Sequence, residues 1–369
     1  MNGAKRNILI VSPNLQDHMT DKLAVSLAAA DSVKSVAVAG ASRGDRPAGK
    51  NKIVLARFES SKFAGRILRY FAFFRGVKRL LRGADAVVSW SLDAAFICVL
   101  AAKVFALKRK KFVYFYSDVH PCCTHKNRII AAAARFIECF TARRADVVAF
   151  TSPLFKDEYF GRLCGLKIKN YVIIENKIPP AYAEKVLSNY DPSKRDFSKL
   201  SIGYFGILSY KDALRFMNAA AESGIRTLLR GKINPSLAGS VSPSILFGGP
   251  YRNPDDIAGM FESINASYII HNFSPDTNYQ WQMTNRFYDA LMMRTPIIVQ
   301  RGTAHENIVL KRDIGMSIDI YNVEESIGKL KSITAADLSR WSANISAMDK
   351  TEWLLTDEYD RLTAKLFNT

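Results

Sequence analysis

The sequence predicts two doubly wound α/β domains with a cleft between them, and three observations lead to that architecture. Short β-branched runs alternate with longer helical patterns in both halves of the chain. The strand-like runs at residues 86–88 and 112–114 are continuously apolar, as in a parallel sheet that is buried on both faces. A polar stretch near the middle of the chain interrupts the alternation. A chain of 369 residues is long enough for two domains, each with its own core.

The first half of the sequence alternates six predicted strands with five predicted helices. The predicted strands cover residues 7–12, 33–39, 52–58, 85–90, 111–117 and 146–151. The predicted helices cover residues 17–30, 62–82, 92–107, 126–144 and 153–163. Each helix can serve as the crossover that joins two parallel strands, so residues 1–180 are predicted to form one domain.

A second series of strands begins near residue 200 and ends in helices. Its predicted strands cover residues 200–205, 226–230, 244–247, 267–271, 296–300 and 316–320. The preceding segment, 175–199, contains Pro179 and Pro180 and is the predicted linker. Helical patterns follow at residues 323–332, 335–348 and 350–367. We therefore predict a second domain over 200–335 and, over 336–369, C-terminal helices that pack across the domain junction.

The charge is unevenly distributed along the chain. The chain has 52 Lys+Arg and 34 Asp+Glu, a formal net charge of +18. Residues 1–180 contain 31 basic and 13 acidic residues, whereas the remainder contains 21 of each, so the whole excess lies in the first half. This asymmetry predicts that one domain meets an anionic surface or polymer. The ordinary hydrophobic content of 48% excludes a disordered or fibrous chain.

The compartment is indicated by cysteines and by the lengths of apolar runs. The five cysteines are odd in number and two are adjacent, and no CxxC pair is present, so neither a disulfide framework nor a zinc site is expected. The N-terminus runs directly into a strand-like segment, without the apolar region of a signal peptide. The longest apolar run, 94–107, is interrupted by Lys103 and is shorter than the ~20 residues of a membrane span. A cytoplasmic protein, peripheral on the inner face of the cell membrane, is predicted.

Residues 284–310 resemble the donor-site segment of GT-B fold glycosyltransferases. The matching positions are Asn285, Arg286, Asp289, Ala290, Leu291, Pro296, Ile297 and Ile298. Further segments resemble the family in the same order, at residues 84–89, 116–120, 145–149, 174–177 and 203–208. The resemblance spans nearly the whole chain. It implies two Rossmann-like domains with an inter-domain cleft and transfer of a sugar from a nucleotide sugar, without a cofactor.

The residues of these segments suit a nucleotide sugar. Gly206 lets a diphosphate approach the backbone, and Lys211 adds positive charge where a helix is predicted to begin. Asn285 and Asp289 share one helix face; Arg286 suits the diphosphate and Asp289 the ribose hydroxyls. The predicted donor-binding residues are Gly206, Lys211, Tyr279, Asn285, Arg286, Asp289 and Glu306. Because the sequence contains no Asp-x-Asp pair, metal-independent hexosyl or glycuronosyl transfer is expected.

Simpler interpretations of these residues remain open. Lys211 could be a solvated charge on a helix, and Arg286 and Asp289 could form a local surface pair. Glu306 could be an acid of a first helical turn, which the helix dipole favours. His271, at the end of a predicted strand, is interpreted as structural.

Departures from the family pattern leave the stereochemistry open. Retaining members often have a glutamate eight positions before the residue at Asp289, where this chain has Trp281, and Ile207 replaces the usual arginine of the phosphate loop. Inverting exopolysaccharide glucuronosyltransferases are an equally good resemblance. An inverting route needs a general base, and the resemblance implies Asp118, with His120 second. Alternatively, Asp118 caps a turn and His120 braces a loop.

The predicted helix 62–82 could meet a membrane. On a helical wheel, an apolar arc flanked by basic residues is formed by Phe63, Ile67, Tyr70, Phe73, Phe74, Val77, Leu80 and Leu81. Such an arc suits the headgroup region of an anionic bilayer, whereas the alternative is that it packs on the sheet. Leu68 and Phe71, which are apolar but outside the arc, favour the membrane. The predicted membrane or acceptor residues are Arg66, Arg69, Phe73, Phe74, Lys78 and Arg79.

The combined prediction is a glycosyltransferase that moves a sugar from a nucleotide sugar, most simply a UDP-sugar, to a lipid-linked or growing glycan acceptor. Two alternatives stay open. An epimerase of nucleotide sugars with the same fold would not need the basic first half. A nucleic-acid binding protein would use the basic charge, but no helix-turn-helix, RNP or zinc signature is present, so no nucleic-acid partner is expected.

Overall fold

The computed structural model describes residues 5–43, 49, 51–58, 63–105 and 110–368, and for residues 63–67 only the backbone. The chain divides into two compact units. The first comprises Met1–Glu175 and Thr356–Thr369, and the second comprises Asn176–Leu355. The predicted C-terminal segment 336–369 is thus divided between the two units.

The first unit is built on a seven-stranded sheet whose paired strands are all parallel. The strands are β1 (Arg6–Ser12), β2 (Val33–Arg43), β3 (Lys52–Phe58), β4 (Ala86–Ser89), β5 (Lys111–Tyr116), β6 (Val147–Phe150) and β7 (Tyr171–Ile173). They lie in the order β3-β2-β1-β4-β5-β6-β7. The order reverses between β1 and β4, which is the place where ligands bind to open α/β sheets.

Helices cover this sheet. They are α1 (His18–Ala28), α2 (Phe63–Leu80), α3 (Leu92–Val99), α4 (Arg128–Arg144) and, at the end of the chain, α14 (Glu358–Phe367). Two π-helical segments, Leu100–Val104 and Phe155–Leu163, and a 3₁₀ turn, Pro121–Thr124, complete the unit. All four residues of β4 and all four of β6 are buried, which explains their continuous apolar sequence.

The second unit contains a six-stranded parallel sheet. Its strands are β8 (Ser201–Leu208), β9 (Arg226–Ile233), β10 (Leu246–Phe247), β11 (Ala266–Ile269), β12 (Ile297–Gln300) and β13 (Gly315–Ile318). Their order is β10-β9-β8-β11-β12-β13, so the switch point lies between β8 and β11. The prediction of two doubly wound α/β sheets is confirmed.

The helices of the second unit lie between its strands and after the last one. They are α5 (Pro180–Leu187), α6 (Lys211–Glu222), α7 (Pro235–Ala238), α8 (Ile257–Glu262), α9 (Asn278–Trp281), α10 (Asn285–Met292), α11 (Ala304–Arg312), α12 (Val323–Lys331) and α13 (Ala335–Ser346). The apolar faces of α6 and α10 pack into two separate parts of the core, on opposite sides of the sheet.

Three segments differ from their predicted structure. Strand β7 was not predicted. The segment predicted as a linker, 175–199, contains α5, and its Ala183 and Val186 are buried in the core of the second unit. The helix predicted over 350–367 is divided into a 3₁₀ turn, Lys350–Glu352, and α14. Between them Ile178 pairs with Leu354 in a parallel bridge, and the Leu355 N–H donates to the Ile178 carbonyl at 2.9 Å. Extended backbone is needed for that pairing, so a continuous helix cannot form there.

In the described ranges, no helix is both long and apolar enough to cross a membrane.

Candidate functional site

The carboxyl edge of the second sheet gathers most of the predicted donor-binding residues. Gly206 lies near the end of β8, and α6 begins five residues later at Lys211. His271 follows β11, and Thr303 is at the N-cap position of the helix that follows β12. Because carboxyl ends of parallel strands meet at one edge, these segments surround the switch point.

Arg286 is the charged group at the centre of this edge. Its guanidinium carbon lies 4.3 Å from the centre of the Tyr204 ring. Its Nη1 is buried and has no hydrogen-bond partner among the described residues. A buried guanidinium N–H without a partner is costly, so this atom is a prepared donor for an anion or another acceptor.

Gly206 provides the space in which Arg286 lies. A Cβ atom at Gly206 would lie 3.7 Å from Cδ and 3.9 Å from Nε of Arg286, so the arginine passes directly beside the glycine backbone. Gly206 has a φ of +145°, which side-chain-bearing residues rarely adopt. The glycine and the arginine, 80 positions apart in the sequence, therefore form one surface.

The start of α10 explains the direction of Arg286. Thr284 is the N-cap residue, and its N–H donates to Nε2 of His305 at 3.1 Å. The His305 ring is fully buried and packs against the Phe287 ring at a tilt of 49°, with ring centres 5.1 Å apart. Burial holds the pKa of His305 well below its usual value, so the ring is neutral and its Nδ1 carries the proton. His305 thus ties the first turn of α10 to α11.

Asp289 lies on α10 with its side chain buried, one turn after Asn285. It is close enough to Tyr251 to affect that hydroxyl: burial raises the pKa of Tyr251 to about 12, with Asp289 raising it further and Arg286 opposing. The exposed-pair alternative for Arg286 and Asp289 does not fit a buried carboxylate.

A pair of tyrosines adjoins the arginine. The rings of Tyr210 and Tyr279 meet edge to face at 5.3 Å. The carbonyl of Tyr279 accepts a hydrogen bond from Nε2 of His271 at 2.8 Å. Burial lowers the pKa of His271 to about 4, so this ring is neutral and holds α9 against β11. The structural interpretation of His271 fits this arrangement.

Lys211 and Glu306 occupy the margins of the site. Lys211 is the exposed first residue of α6. The Glu306 carboxylate accepts from the Gly302 N–H at 2.7 Å and from the Ser317 hydroxyl at 2.6 Å. Both Glu306 oxygens therefore have partners within the unit, as the first-turn interpretation expects.

In the first unit, Asp118 and His120 follow β5. Asp118 is exposed, and Val119 between them is buried, so the two polar side chains are held at the surface. Nδ1 of His120 accepts from the Cys122 N–H at 3.3 Å, which leaves the proton of the neutral ring on Nε2. Burial lowers the pKa of His120, while Asp93 opposes that shift.

A cluster of polar groups surrounds Asp93, at the start of α3. Asp93 accepts from Ser91 at 2.8 Å and from Tyr70 at 3.3 Å, and pairs with Arg43 at 3.4 Å. Ser91 has a φ of +63°, a strained conformation for a residue with a side chain. Strain and paired charges directly after β4 mark the carboxyl edge of the first sheet as a second candidate site.

Helix α2 exposes some apolar residues and buries others. Phe73 is only 2% exposed and lies in the core, so it cannot serve as the surface contact predicted for it. Leu68 and Phe71 are 74% and 59% exposed instead. The side chain of Arg66 lies outside the described residues. Phe73, Val77 and Leu81 of the arc are buried, as the alternative interpretation expected, but apolar groups remain on the outer face.

Basic residues of α2 surround a groove of about 740 Å³. The groove is lined by Val54, Leu55, Phe71, Ala72, Phe74, Arg75, Gly76, Lys78, Arg79 and Arg82. Within the described part of the chain, the basic groups of this lining have no carboxylate at ion-pair distance. In the second unit, by contrast, Arg312 pairs with Glu352 at 2.7 Å and Arg252 with Asp256 at 3.0 Å.

Sequence reasoning missed several neighbours of the predicted residues. Arg230 donates to the carbonyls of Gly249 and Pro250, both at 3.2 Å, and so shapes the loop before Tyr251. Arg230 ends a predicted strand, and the rule that ligands bind at strand ends could have identified it. Nothing in the sequence signals the contact of His305 with Thr284, because it depends on how two helices pack.

Comparisons with known proteins agree with this architecture. HepE of Anabaena, solved in complex with UDP and glucose, matches with a TM-score of 0.69 at 12% identity, over 99% of this chain and 100% of that chain. Sucrose-phosphate synthase of Thermosynechococcus elongatus also gives a TM-score of 0.69, at 14% identity, over 99% and 98% of the two chains. The chain has a GT-B fold. The predicted resemblance is therefore confirmed for the fold.

A curated relative extends the similarity to the sequence. The succinoglycan biosynthesis protein ExoL of Rhizobium meliloti is 25% identical over 365 residues, which is 94% of this chain and 89% of the relative. No protein-family model matches the chain.

Proposed function

We propose that this GT-B chain is a glycosyltransferase that moves a sugar from a UDP-sugar to a lipid-linked or growing glycan acceptor at the cytosolic membrane face. The observation that carries the proposal is Arg286, whose buried, unpartnered Nη1 lies at the switch point of the second sheet. A nucleoside diphosphate supplies the anionic acceptors that such a donor needs.

The second unit would bind the donor. Arg286 would hold the diphosphate. Because Gly206 has no side chain, a phosphate could approach the backbone beside Arg286 closely. The first N–H groups of α6, beginning at Lys211, would add the positive end of a helix dipole. Asp289 and Asn285 would meet the ribose hydroxyls. These groups would stabilise the departing UDP without a metal ion.

The first unit would hold the acceptor. In an inverting route, the Asp118 carboxylate takes the proton of the acceptor hydroxyl while the acceptor oxygen forms a bond to C1 of the sugar. The bond from C1 to the diphosphate oxygen breaks, and UDP leaves with the electron pair. His120, with its proton on Nε2, would donate to a sugar or acceptor oxygen.

The relatives support this choice of substrate. ExoL is named for the biosynthesis of succinoglycan, a polysaccharide. HepE has been solved with UDP-glucose as well as with UDP and glucose. These names favour a UDP-sugar and a glycan acceptor for the present chain.

The surface of α2 supports the membrane part of the proposal. Arg75, Lys78 and Arg79 of α2, and Arg82 just after it, are exposed around apolar groups. The excess of basic residues lies in the first half of the chain. Basic groups around exposed aromatic and aliphatic side chains suit the boundary of an anionic bilayer.

A thermal-shift screen tests the donor part. UDP and UDP-sugars should raise the midpoint of thermal unfolding, whereas GDP, ADP and duplex DNA should not. The Arg286→Ala variant should lose the UDP response while keeping its own midpoint within a few degrees. Stabilisation by DNA but not by UDP would contradict the proposal. Conversion of a UDP-sugar to its epimer without an acceptor would assign the alternative activity.

A further inference from the structure

A buried carboxyl group lies beneath the loop of Asp118 and His120. Glu138 is on α4 and its side chain is 0% exposed. A carboxyl group in such a place is unfavourable unless several hydrogen bonds replace its lost water. The three-dimensional surroundings of Glu138 therefore indicate what the residue does.

Three donors from three different elements converge on Glu138. The Tyr114 hydroxyl of β5 lies 3.4 Å from Oε1, and the Cys123 thiol of the 3₁₀ turn lies 3.3 Å from Oε2. The Tyr159 hydroxyl, from the π-helical segment Phe155–Leu163, also donates to Oε2. The two oxygens of a carboxyl group can accept from all three donors, whereas an amide would turn N–H groups toward at least one of them.

Stability alone does not account for this arrangement. Well-packed apolar residues of similar volume are often as stabilising as a buried polar network, or more so. Glu138 joins a strand, a turn and a helical segment through directional contacts, which apolar packing would not do. Such a network fixes positions at the cost of some stability.

The contact with Cys123 leads directly to His120. The Cys123 N–H donates to the His120 carbonyl at 2.8 Å, and the neighbouring Cys122 N–H donates to Nδ1 of His120 at 3.3 Å. The same short turn that Glu138 holds by the Cys123 thiol therefore sets the ring orientation and the tautomer of His120. The thiol of Cys123 is buried, so this link is protected from water.

We infer that Glu138 is a positioning residue, which holds the turn of Cys123 and thereby fixes the ring of His120 beside Asp118. The importance of that ring for transfer rests on the proposed function. The contacts that connect Glu138 through Cys123 to His120 do not depend on that function.

Histidine NMR tests the inference on the whole protein. Long-range ¹H–¹⁵N spectra of ¹⁵N-histidine-labelled protein report the tautomer and titration of each ring, and the signal missing in His120→Gln identifies His120. In Glu138→Gln and in Cys123→Ala, we expect His120 to lose its preference for the Nε2–H tautomer and its pKa to rise toward that of an exposed histidine. Cys123→Ser, which restores a donor to Glu138, should recover most of the native signal.

Thr141→Val is the matched control. Thr141 is buried on the same helix, and its hydroxyl donates within the helix to the Ile137 carbonyl at 2.8 Å. This variant perturbs α4 without touching the turn, so the His120 signal should not change. Equal changes in the control and in Glu138→Gln would show a general loosening of α4 and overturn the inference.

The outcomes separate the inference from the proposed function. If Glu138→Gln does not fold, Cys123→Ala decides, because it keeps the carboxyl group and both tyrosines. An unchanged His120 signal in the folded variants overturns the inference even if UDP-sugar transfer is observed. Conversely, a shifted His120 signal supports it even if His120→Gln transfers sugar normally, which would remove His120 from the proposed mechanism. Where transfer is measurable, Glu138→Gln should lower kcat with little change in KM for the UDP-sugar.

Discussion

The guanidinium carbon of Arg286 lies 4.3 Å from the centre of the Tyr204 ring, so a cation of α10 rests on a buried aromatic residue of β8. This contact fixes the direction of the guanidinium group without neutralising its charge. Arg312 and Arg252 of the same unit are instead paired with carboxylates, those of Glu352 and Asp256. Arg286 is therefore held in place by an aromatic ring and keeps its charge for a ligand.

Replacing Arg286 should weaken UDP binding far more than it weakens folding. A charge-assisted hydrogen bond contributes roughly 1.5–3 kcal/mol, so Arg286→Ala should raise the Kd for UDP by about 10- to 100-fold. Arg286→Lys keeps the charge but loses the planar group that stacks on Tyr204. Its Kd for UDP should lie between those of the wild type and Arg286→Ala. Isothermal titration calorimetry measures the Kd. Arg312→Ala is the control and should bind UDP normally; an equal loss in both variants would contradict the assignment.

Gly231 should be more sensitive to substitution than Gly206, although Gly206 adjoins Arg286. A Cβ atom at Gly231 would lie 1.8 Å from the Gly206 carbonyl oxygen, and Gly231 has a φ of +135°. Gly231→Ala must therefore displace the end of β8, at a cost of roughly 3 kcal/mol or more. The thermal midpoint of the second unit should fall by several degrees.

Gly239 provides the matched control for that substitution. It ends α7 with a φ of −73°, and a Cβ atom there would meet no atom within 4 Å. Gly239→Ala should leave the midpoint unchanged or raise it slightly, because it reduces the freedom of the unfolded chain. A midpoint for Gly231→Ala equal to that of Gly239→Ala would be incompatible with this packing.

Strands were the most predictable part of the fold. Buried parallel strands such as β5 need continuous apolar sequence, and that requirement is visible without a structure. Strand β7 has only three residues and leaves two of them half-buried, so its sequence carries no such signal. The break at Leu354 arises from pairing with Ile178, a contact between residues far apart in the sequence, which local helical patterns cannot reveal.

The candidate site was predictable where a motif named its residues, and less so where packing selects them. Arg286 was identified from the segment it belongs to, whereas the contribution of Tyr204 depends on the distance between α10 and β8. The helical wheel correctly grouped Phe73 in an apolar arc, but a wheel does not show which side of the helix faces the sheet. In the structure, Phe73, Val77 and Leu81 of that arc are buried, whereas Phe71 is exposed.

Asp118→Asn should abolish most transfer without affecting donor binding. The side chain is exposed, so the amide should not disturb folding, and it lies in a different unit from Arg286. Loss of a general base lowers rates by roughly 100- to 10,000-fold. Release of UDP in the presence of acceptor measures the rate, and calorimetry checks that the Kd for UDP is unchanged. A variant with near-normal turnover would remove Asp118 as the base.

Neutralising basic residues of α2 should weaken binding to anionic vesicles. Each Lys or Arg near an anionic bilayer contributes about 1 kcal/mol, so replacing Lys78 and Arg79 together by Gln should lower the partition coefficient roughly 30-fold. Sedimentation with vesicles containing phosphatidylglycerol measures this. Lys329 and Arg340, which are paired with Glu325 and Asp313, provide the control when replaced by Gln. Equal partitioning of the two double variants would exclude α2 as the contact surface.

The pH dependence of stability should show the burial of Glu138. Burial raises the pKa of Glu138 to about 7 from its usual 4.5, so between these values the folded state keeps a proton that the unfolded state releases. Stability from this group is therefore present at pH 4.5 and is lost as pH rises to 7, by roughly 3 kcal/mol. Hydrogen exchange of β5 amides reports the stability of the first unit.

Glu138→Gln should remove that decline, because the amide does not titrate in this range. The facing groups Tyr114, Tyr116, Tyr159 and Cys123 do not interfere, since burial raises the pKa of each of them and keeps them neutral below pH 8. In the second unit, His271 gives stability a pH dependence of the opposite sign. Burial lowers the pKa of His271 to about 4, so the stability of that unit falls as pH drops below 6.5. After division by the intrinsic exchange rates, the protection factors of β8 amides should therefore fall toward acid, while those of β5 amides rise. If the protection of β5 amides depended on pH in the same way in the wild type and in Glu138→Gln, folding would not raise the pKa of Glu138.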